Sequence, residues 1–537
     1  MLKKKMHLIN YETFLIYFFL IAIFFAITGL GNLCNVKIFK INTLNFYENF
    51  IIGIFFLIFY LQIHIIFFPI NLVYSSVLLF LLLIGFLKSI KEIKKILNIK
   101  FFLSLLICLP IVLNSKVYPY TSSIYDYGLY HNTYLNWLNQ DNIVLGIANL
   151  HDRFGYSGSS YLLGAFFNFY PFFNNGFIFT TSIFFVFLIF LLIYEINFKK
   201  TNYSNIFNIL ILYVVIKYIL VESLGDVSPN KISACLLIFL FHNSINNYNI
   251  KLDNNYLNGF ITLPILITLG ASTWFVVVLS LIVLFWKNFN KVLRNYMVVF
   301  LCFILCLNFG LLNFLKSGNI FYPIIFPIFE TNFTLLDNSA LYHIKNFPKG
   351  YPEGAEWIIP KLKSLIFSNK FVFLYLLSLI SIFILLLTKY RNIVIRNWIF
   401  LKLILIISLS IFFWFLNAPD TRFAKIYFWI GFILILSLYF ENFIKAKMFP
   451  ILIICIFSYC IFSSYNNLAY TRSTISKFDA LKLHPITNEF KINDQNSIYI
   501  RELNYSNQKF SITGLPDNIK NLVYEKKIFS KIYFKNK

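Results

Sequence analysis

One stretch of this chain is the most informative for chemistry. Tyr125-Asp-Tyr-Gly-Leu-Tyr-His131 continues to Asn149-Leu-His-Asp-Arg153, which sets two His, three Asp and one Arg between long apolar runs. A carboxylate such as Asp126, at a partly dry membrane surface, can take the proton of an incoming hydroxyl as a general base. Arg153 with a neighbouring His could clamp a phosphate, and an Asp–His pair could hold a divalent cation, although the spacing specifies no metal site. Plainer readings stand beside these. Asp126 could cap a helix begun at Tyr127, its carboxylate accepting backbone N–H bonds at the positive end of the dipole, and cap and base are compatible roles. His131, His151, Asp152 and Arg153 could equally be solvated loop residues.

Three further segments carry charge where little is expected. Gly225-Asp-Val-Ser-Pro-Asn230 with Lys231 is either a turn capping the next helix or, through Asp226 and Lys231, a second contact to an anion. Lys316-Ser-Gly-Asn319 before Tyr322-Pro323 reads mostly as a loop with a glycine turn. Trp414-Phe-Leu-Asn-Ala-Pro-Asp-Thr-Arg-Phe423 is more specific. An aromatic belt explains Trp414 and Phe423, but not Asp420 and Arg422, two residues apart beside a proline. The chain has seven Arg against 39 Lys, so Lys serves where plain charge suffices. Arg then marks places that need the planar fork for phosphate or carboxylate.

The elements that must position these residues are helices in a membrane. The 537 residues are 59% hydrophobic, 20% aromatic and only 13% charged, a composition outside that of soluble domains. Apolar runs recur at roughly 12–13 places long enough to cross about 30 Å of hydrocarbon. Helix candidates are 12–30, 50–68, 71–87, 101–114, 176–194, 206–222, 231–243, 259–286, 296–314, 364–388, 398–416, 423–440 and 449–464. The predicted class is an all-α polytopic membrane protein: a transmembrane domain over 1–464 and an extracytoplasmic tail over 465–537 of mixed strands and helices.

Charge bias sets the sidedness. The basic loops 88–100, 195–205, 287–295, 389–397 and 441–448 should face the cytoplasm. The polar segments 115–175, 223–230, 315–363 and 417–422 then share the outer side, a convergence not built into the charge rule. Segment 161–172 is too short to cross and reads as a juxtamembrane helix on the outer surface. The run 259–286 must make two short passes around Gly270-Ala-Ser-Thr273 to keep its neighbours on one side. Counting back through four crossings puts Lys3–Lys5 outside, against the same rule. Phe14–Leu30 is longer than a signal-peptide core and reads as a retained helix.

Several classes are excluded. The net charge of +24 lies along membrane rims rather than on one groove-sized face, which argues against nucleic acid. The seven Cys show no metal spacing. No phosphate loop, dinucleotide fingerprint or nucleophile elbow is present.

The residues Asp126, Gly128-Leu-Tyr-His131, Asn149-Leu-His151, Arg153, Ser159-Ser160, Ser317-Gly318, Tyr322-Pro323, Trp414-Phe415, Ala418-Pro-Asp420 and Arg422-Phe423 resemble the motifs of a family of bacterial polytopic proteins of uncharacterised function, over about 100 to 440. Asn319-Ile-Phe stands where that family carries Tyr-Pro-x, and the tail shows no counterpart. More distantly, the layout is similar to GT-C glycosyltransferases, which move a sugar from a polyprenyl-phosphate carrier on the outer face. Those enzymes carry the acidic loop after their first helix; here it follows about the fourth apolar segment.

The resemblance implies a glycosyltransferase-like protein of the bacterial inner membrane, acting in envelope polysaccharide or glycolipid assembly. Asp126 would be the base, with His131 beside it. His151, Arg153, Asp226, Lys231, Asp420 and Arg422 would bind substrate or its phosphate, with a divalent metal optional and no metal ligand assigned. The alternatives are a polysaccharide or lipid transporter or flippase, and a non-catalytic assembly protein.

Overall fold

The computed structural model describes residues 11–41, 45–115, 131–149, 152–155, 158–173, 176–197, 203–221, 224–225, 227, 229–249, 256–286, 289–324, 356–368, 370–387, 398–417, 421–440, 458, 486–493, 496–505, 508–511, 522–527 and 531–536. Through Phe440 its described elements are helices. We number them α1 Tyr11–Cys34, α2 Asn49–Phe67, α3 Ser76–Ile96, α4 Ile99–Ser115, α5 Asn132–Gln140, α6 Ser159–Phe167, α7 Ser182–Glu195, α8 Tyr203–Val221, α9 Pro229–Asn249, α10 Tyr256–Leu269, α11 Trp274–Ser280, α12 Tyr296–Ser317, α13 Ile358–Ser368, α14 Lys370–Leu387, α15 Trp398–Asn417 and α16 Thr421–Phe440. Five spans, Thr13–Phe39, Phe46–Phe67, Ile178–Glu195, Tyr296–Ser317 and Trp398–Asn417, are long and apolar enough to cross a membrane. The protein is an all-α polytopic membrane protein.

The centre of the bundle is α7, on which Ser182 through Ile193 are all buried. Its rings interlock with those of neighbouring helices: Phe187 stacks on Phe50 of α2 at 4.8 Å, and Phe190 on Phe24 of α1 at 5.1 Å. In lipid such contacts stabilise through close packing rather than water exclusion. The same rule accounts for the crossing of α1 and α3, where a Cβ on Gly29 would lie 1.9 Å from the Gly85 carbonyl oxygen.

The helix ends form two faces. On one, Lys100 Nζ donates to the carbonyls of Tyr194 (2.9 Å) and Ile196 (2.7 Å), and Asn246 Nδ2 reaches Glu195 Oε2 at 3.4 Å. This is the basic face. On the other, Ile70 N–H donates to Leu138 O at 2.8 Å and Gly146 N–H to Leu315 O at 2.9 Å, which ties the α2–α3 connection and the end of α12 to the motif-bearing loop. This is the motif face.

The run 259–286 folds back on itself as a broken helical hairpin. Helix α10 stops at Gly270, whose φ of 149° is open to glycine but strained for other residues. The chain turns through Ala271–Thr273 and returns along α11 and the π-turns Leu281–Phe285. Phe260 and Phe285 meet edge to face at 5.8 Å, so both arms of the hairpin end at the same face. Trp274 Nε1 donates to Ile267 O at 3.0 Å and pins the turn.

Some boundaries differ from expectation. The basic run assigned to a loop over 88–100 is largely the end of α3, where Lys95 pairs with Glu92 at 3.1 Å in a sequence of good helix formers. The candidate 364–388 divides into α13 and α14. The helix expected to lie on the surface over 161–172 is instead α6, buried along its whole length. Small residues at Gly164 and Ala165 let the protein close around it; a Cβ on Gly164 would sit 2.6 Å from Val227. The candidate 449–464 lies almost wholly outside the described residues. In the tail, Ile486–Asn493, Asn496–Tyr505 and Gln508–Ser511 form one antiparallel sheet, and Leu522–Lys527 pairs with Lys531–Asn536.

Candidate functional site

The motif-bearing loop is held by an asparagine pair. Asn139, at the end of α5, donates to Ile70 O (2.6 Å) and Ala165 O (2.8 Å). Its Oδ1 accepts from Asn168 Nδ2 at 2.6 Å, and Asn168 Oδ1 accepts the Gly176 N–H at 2.5 Å. Both side chains are buried, so four stretches of chain are fixed by polar bonds that burial makes costly to break.

On this frame His131, directly before α5, meets Tyr161 of α6. The Tyr161 Oη lies 2.5 Å from His131 Nδ1, the rings stack at 5.4 Å, and both residues are buried. Burial first, then the positive charges of Arg153 and Lys231, pull the His131 pKa down to about 3. The imidazole is therefore neutral at physiological pH. Arg153 lies on the short turn Asp152–Gly155, where a Cβ on Gly155 would sit 2.7 Å from the Tyr322 ring. Lys231 lies in the first turn of α9, and Val227 just before that helix rests on Gly164 of α6. Ring contacts of Tyr134 with Phe154 (5.5 Å) and Tyr161 (5.4 Å) close the cluster from the α5 side.

Beside it is a cavity of about 20 Å³ lined by Ile65, Tyr134, Ser159, Tyr161, Leu312 and Lys316 among others, room for one water. Lys316, in the last turn of α12, is 4% exposed. The negative end of the helix dipole favours a cation there. Gly318 closes α12 in the left-handed conformation, its N–H donating to Phe314 O at 2.7 Å. Ser317 Oγ accepts the Asn319 N–H at 3.1 Å. On the far side, Gln62 Nε2 of α2 donates to Ser159 Oγ at 3.2 Å. Gln62 Oε1 and Ser160 Oγ, both buried, find no partner among the described residues.

The structure thus brings together His131, Arg153 and Lys231 from three separate motifs and adds Lys316 and Tyr161. Asp126, His151, Asp226 and Asp420 lie outside the described residues; Arg422 is the second residue of α16. Two buried residues of the fourth motif's surroundings are described: Trp414, and Trp357, whose ring meets Phe415 at 5.4 Å. Sequence reasoning passed over Lys316 as part of a glycine turn, and Tyr161 as the start of a surface helix. The signal for Lys316 was available: a lysine inside the last turn of an otherwise apolar helix is expensive unless it serves something.

A neutral histidine with two cations near it and a third lining the adjoining cavity suits an anion better than a metal ion. Among the described residues no group of three or more His, Cys, Asp or Glu is placed to hold a metal. Residues 14–429 match a protein family described as a domain of unknown function (DUF8201), a range that holds every motif above and leaves out the tail. No curated protein and no solved structure matches the chain.

Proposed function

We propose that this chain, which belongs to that family of unknown function, is an integral-membrane transferase that moves a sugar from a polyprenyl-phosphate carrier during envelope polysaccharide or glycolipid assembly. The observation that carries the reading is the gathering of Arg153, Lys231 and Lys316 around the neutral His131–Tyr161 pair at one end of the helix bundle. That end is opposite the basic connections, which by charge bias face the cytoplasm of a bacterial inner membrane.

In this reading the acceptor hydroxyl oxygen attacks the anomeric carbon, Asp126 takes its proton, and the bond from that carbon to the phosphate oxygen breaks. The phosphate leaves with the bonding electrons. Arg153 and Arg422, with Lys231 and Lys316, meet that growing charge in a site shielded from water, where fixed cations act most strongly. His131, His151, Asp226 and Asp420 orient acceptor and carrier. The test is complementation of a deletion strain, scored by its surface glycans. Asp126→Asn and Arg153→Met should be made and inserted but fail to restore the wild-type profile; full restoration by both would refute the assignment.

One observation favours a second reading, a lipid or polysaccharide flippase. The broken hairpin α10–α11 turns at Gly270 beside the site, and a Cβ on Gly158 would meet the Leu269 carbonyl oxygen at 2.3 Å. Discontinuous helices of this kind carry substrate in many transporters. Substrate-dependent labelling of cysteines placed within 259–286, with no transfer product, would favour transport over chemistry.

A further inference from the structure

The cations around the His131–Tyr161 pair are not arranged as one shell. Arg153 and Lys231 are half-buried and belong to the two segments that approach His131. Lys316 is buried and belongs to a different wall, at the end of α12, where it lines the cavity with Ser159 and Tyr161. Tyr161 joins the two positions: its hydroxyl contacts His131, and the same side chain borders the Lys316 cavity.

Ser159 gives the deeper position a second donor. Its Oγ accepts from Gln62 Nε2 at 3.2 Å, and an accepting hydroxyl keeps its own hydrogen to give elsewhere. Among the described residues no acceptor for that hydrogen is present, and Ser159 lines the cavity. A lysine and a serine lining a space the size of one water match one oxygen of a phosphoryl group. A single phosphate held between Arg153 and Lys231 would leave this second position unused.

Resting on the transferase reading, we infer that the carrier is a diphosphate rather than a monophosphate: one phosphoryl group lies at Arg153, Lys231 and His131, and the other places an oxygen at Lys316 and Ser159. The two-phosphate leaving group then departs as the lipid diphosphate, its charge shared between the two positions. Ile65 of α2 and Phe309 and Leu312 of α12 give the same cavity an apolar wall, the chemistry that suits the isoprenoid part of a lipid carrier.

The experiment is a ligand titration of the purified full-length chain in detergent, read as thermal stabilisation, with farnesyl monophosphate, farnesyl diphosphate and inorganic pyrophosphate as probes. Farnesyl diphosphate should bind more tightly than farnesyl monophosphate by about tenfold or more, the scale of one charge-assisted hydrogen bond. Lys316→Met, of similar length and suited to an apolar wall, should bring the two lipids within about twofold, and Ser159→Ala should narrow the gap in the same direction. Arg153→Met should weaken both lipids alike. Equal affinity of the wild type for the two lipids, or equal loss of both in Lys316→Met and Ser159→Ala, would overturn the diphosphate assignment and leave the transferase reading in place. No binding of either lipid, or pyrophosphate binding as tightly as farnesyl diphosphate, would overturn the lipid carrier itself.

Discussion

The Tyr161 hydroxyl lies 2.5 Å from His131 Nδ1, and this contact joins the first charged motif to the helix that follows the second. Both rings are buried, so the hydroxyl cannot turn to water if its partner is lost. Tyr161→Phe should cost about 1–3 kcal/mol, because it leaves a ring nitrogen buried without its partner. Tyr161→Ala should cost about 3–5 kcal/mol by adding a cavity under Tyr134. Denaturation of both variants in detergent checks the order; a Tyr161→Phe variant as stable as the wild type would mean that the hydroxyl contributes nothing.

Acid should weaken the fold through His131. Its pKa falls from the ordinary 6.5 to about 3 in the folded protein. Between those values the unfolded chain holds a proton that the folded chain does not, so stability rises with pH across this window. It is lost as pH falls, at about 1.4 kcal/mol per unit for this one group. His131→Asn should flatten the slope of stability against pH between about 6 and 4, measured as the difference from wild type so that other titrations cancel. An unchanged slope would place the titration elsewhere.

The turn within 259–286 was legible in the sequence, because the basic connections on both sides of that run require a reversal and Gly270 supplies one. The buried course of α6 was not legible. Nine mostly apolar residues fit a membrane surface and a protein interior equally well, and only contacts such as Gly164 with Val227 decide between them. Asn139 and Asn168 form the polar joint of the loop, yet nothing in their sequence neighbourhoods sets them apart in a chain rich in asparagine. Composition hides such residues; their value lies in partners far away in sequence. Asn139→Leu should therefore be among the most damaging polar substitutions, leaving two carbonyls and the Asn168 amide buried without partners, each at about 1–3 kcal/mol.

Two glycines next to the site should respond differently to alanine. At Gly158 the added Cβ meets the Leu269 carbonyl oxygen at 2.3 Å, so loop and hairpin must separate, at about 1–3 kcal/mol. At Gly270 nothing lies within 4 Å; the cost is backbone strain at φ 149°, also about 1–3 kcal/mol. Gly158→Ala moves Ser159 and should weaken ligand binding as well as stability. Gly270→Ala should lower stability with affinity nearly intact. Melting curves with and without ligand separate the two; matching losses of affinity would show that the hairpin turn itself contacts the ligand.

Glu195 offers the opposite test, a polar centre remote from the site. At the basic face its Oε1 accepts from the Tyr47 hydroxyl and from Asn45 Nδ2 at 2.9 Å. Its Oε2 faces Asn246 Nδ2, which also lies 2.9 Å from His242 Nε2. Since Asn246 Nδ2 can only donate, His242 accepts at Nε2 and donates from Nδ1 to Asn208 Oδ1 at 2.8 Å. One carboxylate thus ties the starts of α2 and α8 and the ends of α7 and α9 into a chain of bonds. Glu195→Ala strands the Tyr47 hydroxyl inside the protein and should cost about 1–3 kcal/mol. Glu195→Gln keeps an acceptor for Tyr47 but sets an amide N–H₂ toward Asn246, so its loss should be smaller. Neither should alter the affinity for an anionic lipid at the motif face by more than about twofold, since the change is confined to the other end of the bundle. A large affinity loss in Glu195→Gln, with stability retained, would mean that the two faces communicate and would count in favour of a transport cycle over surface chemistry.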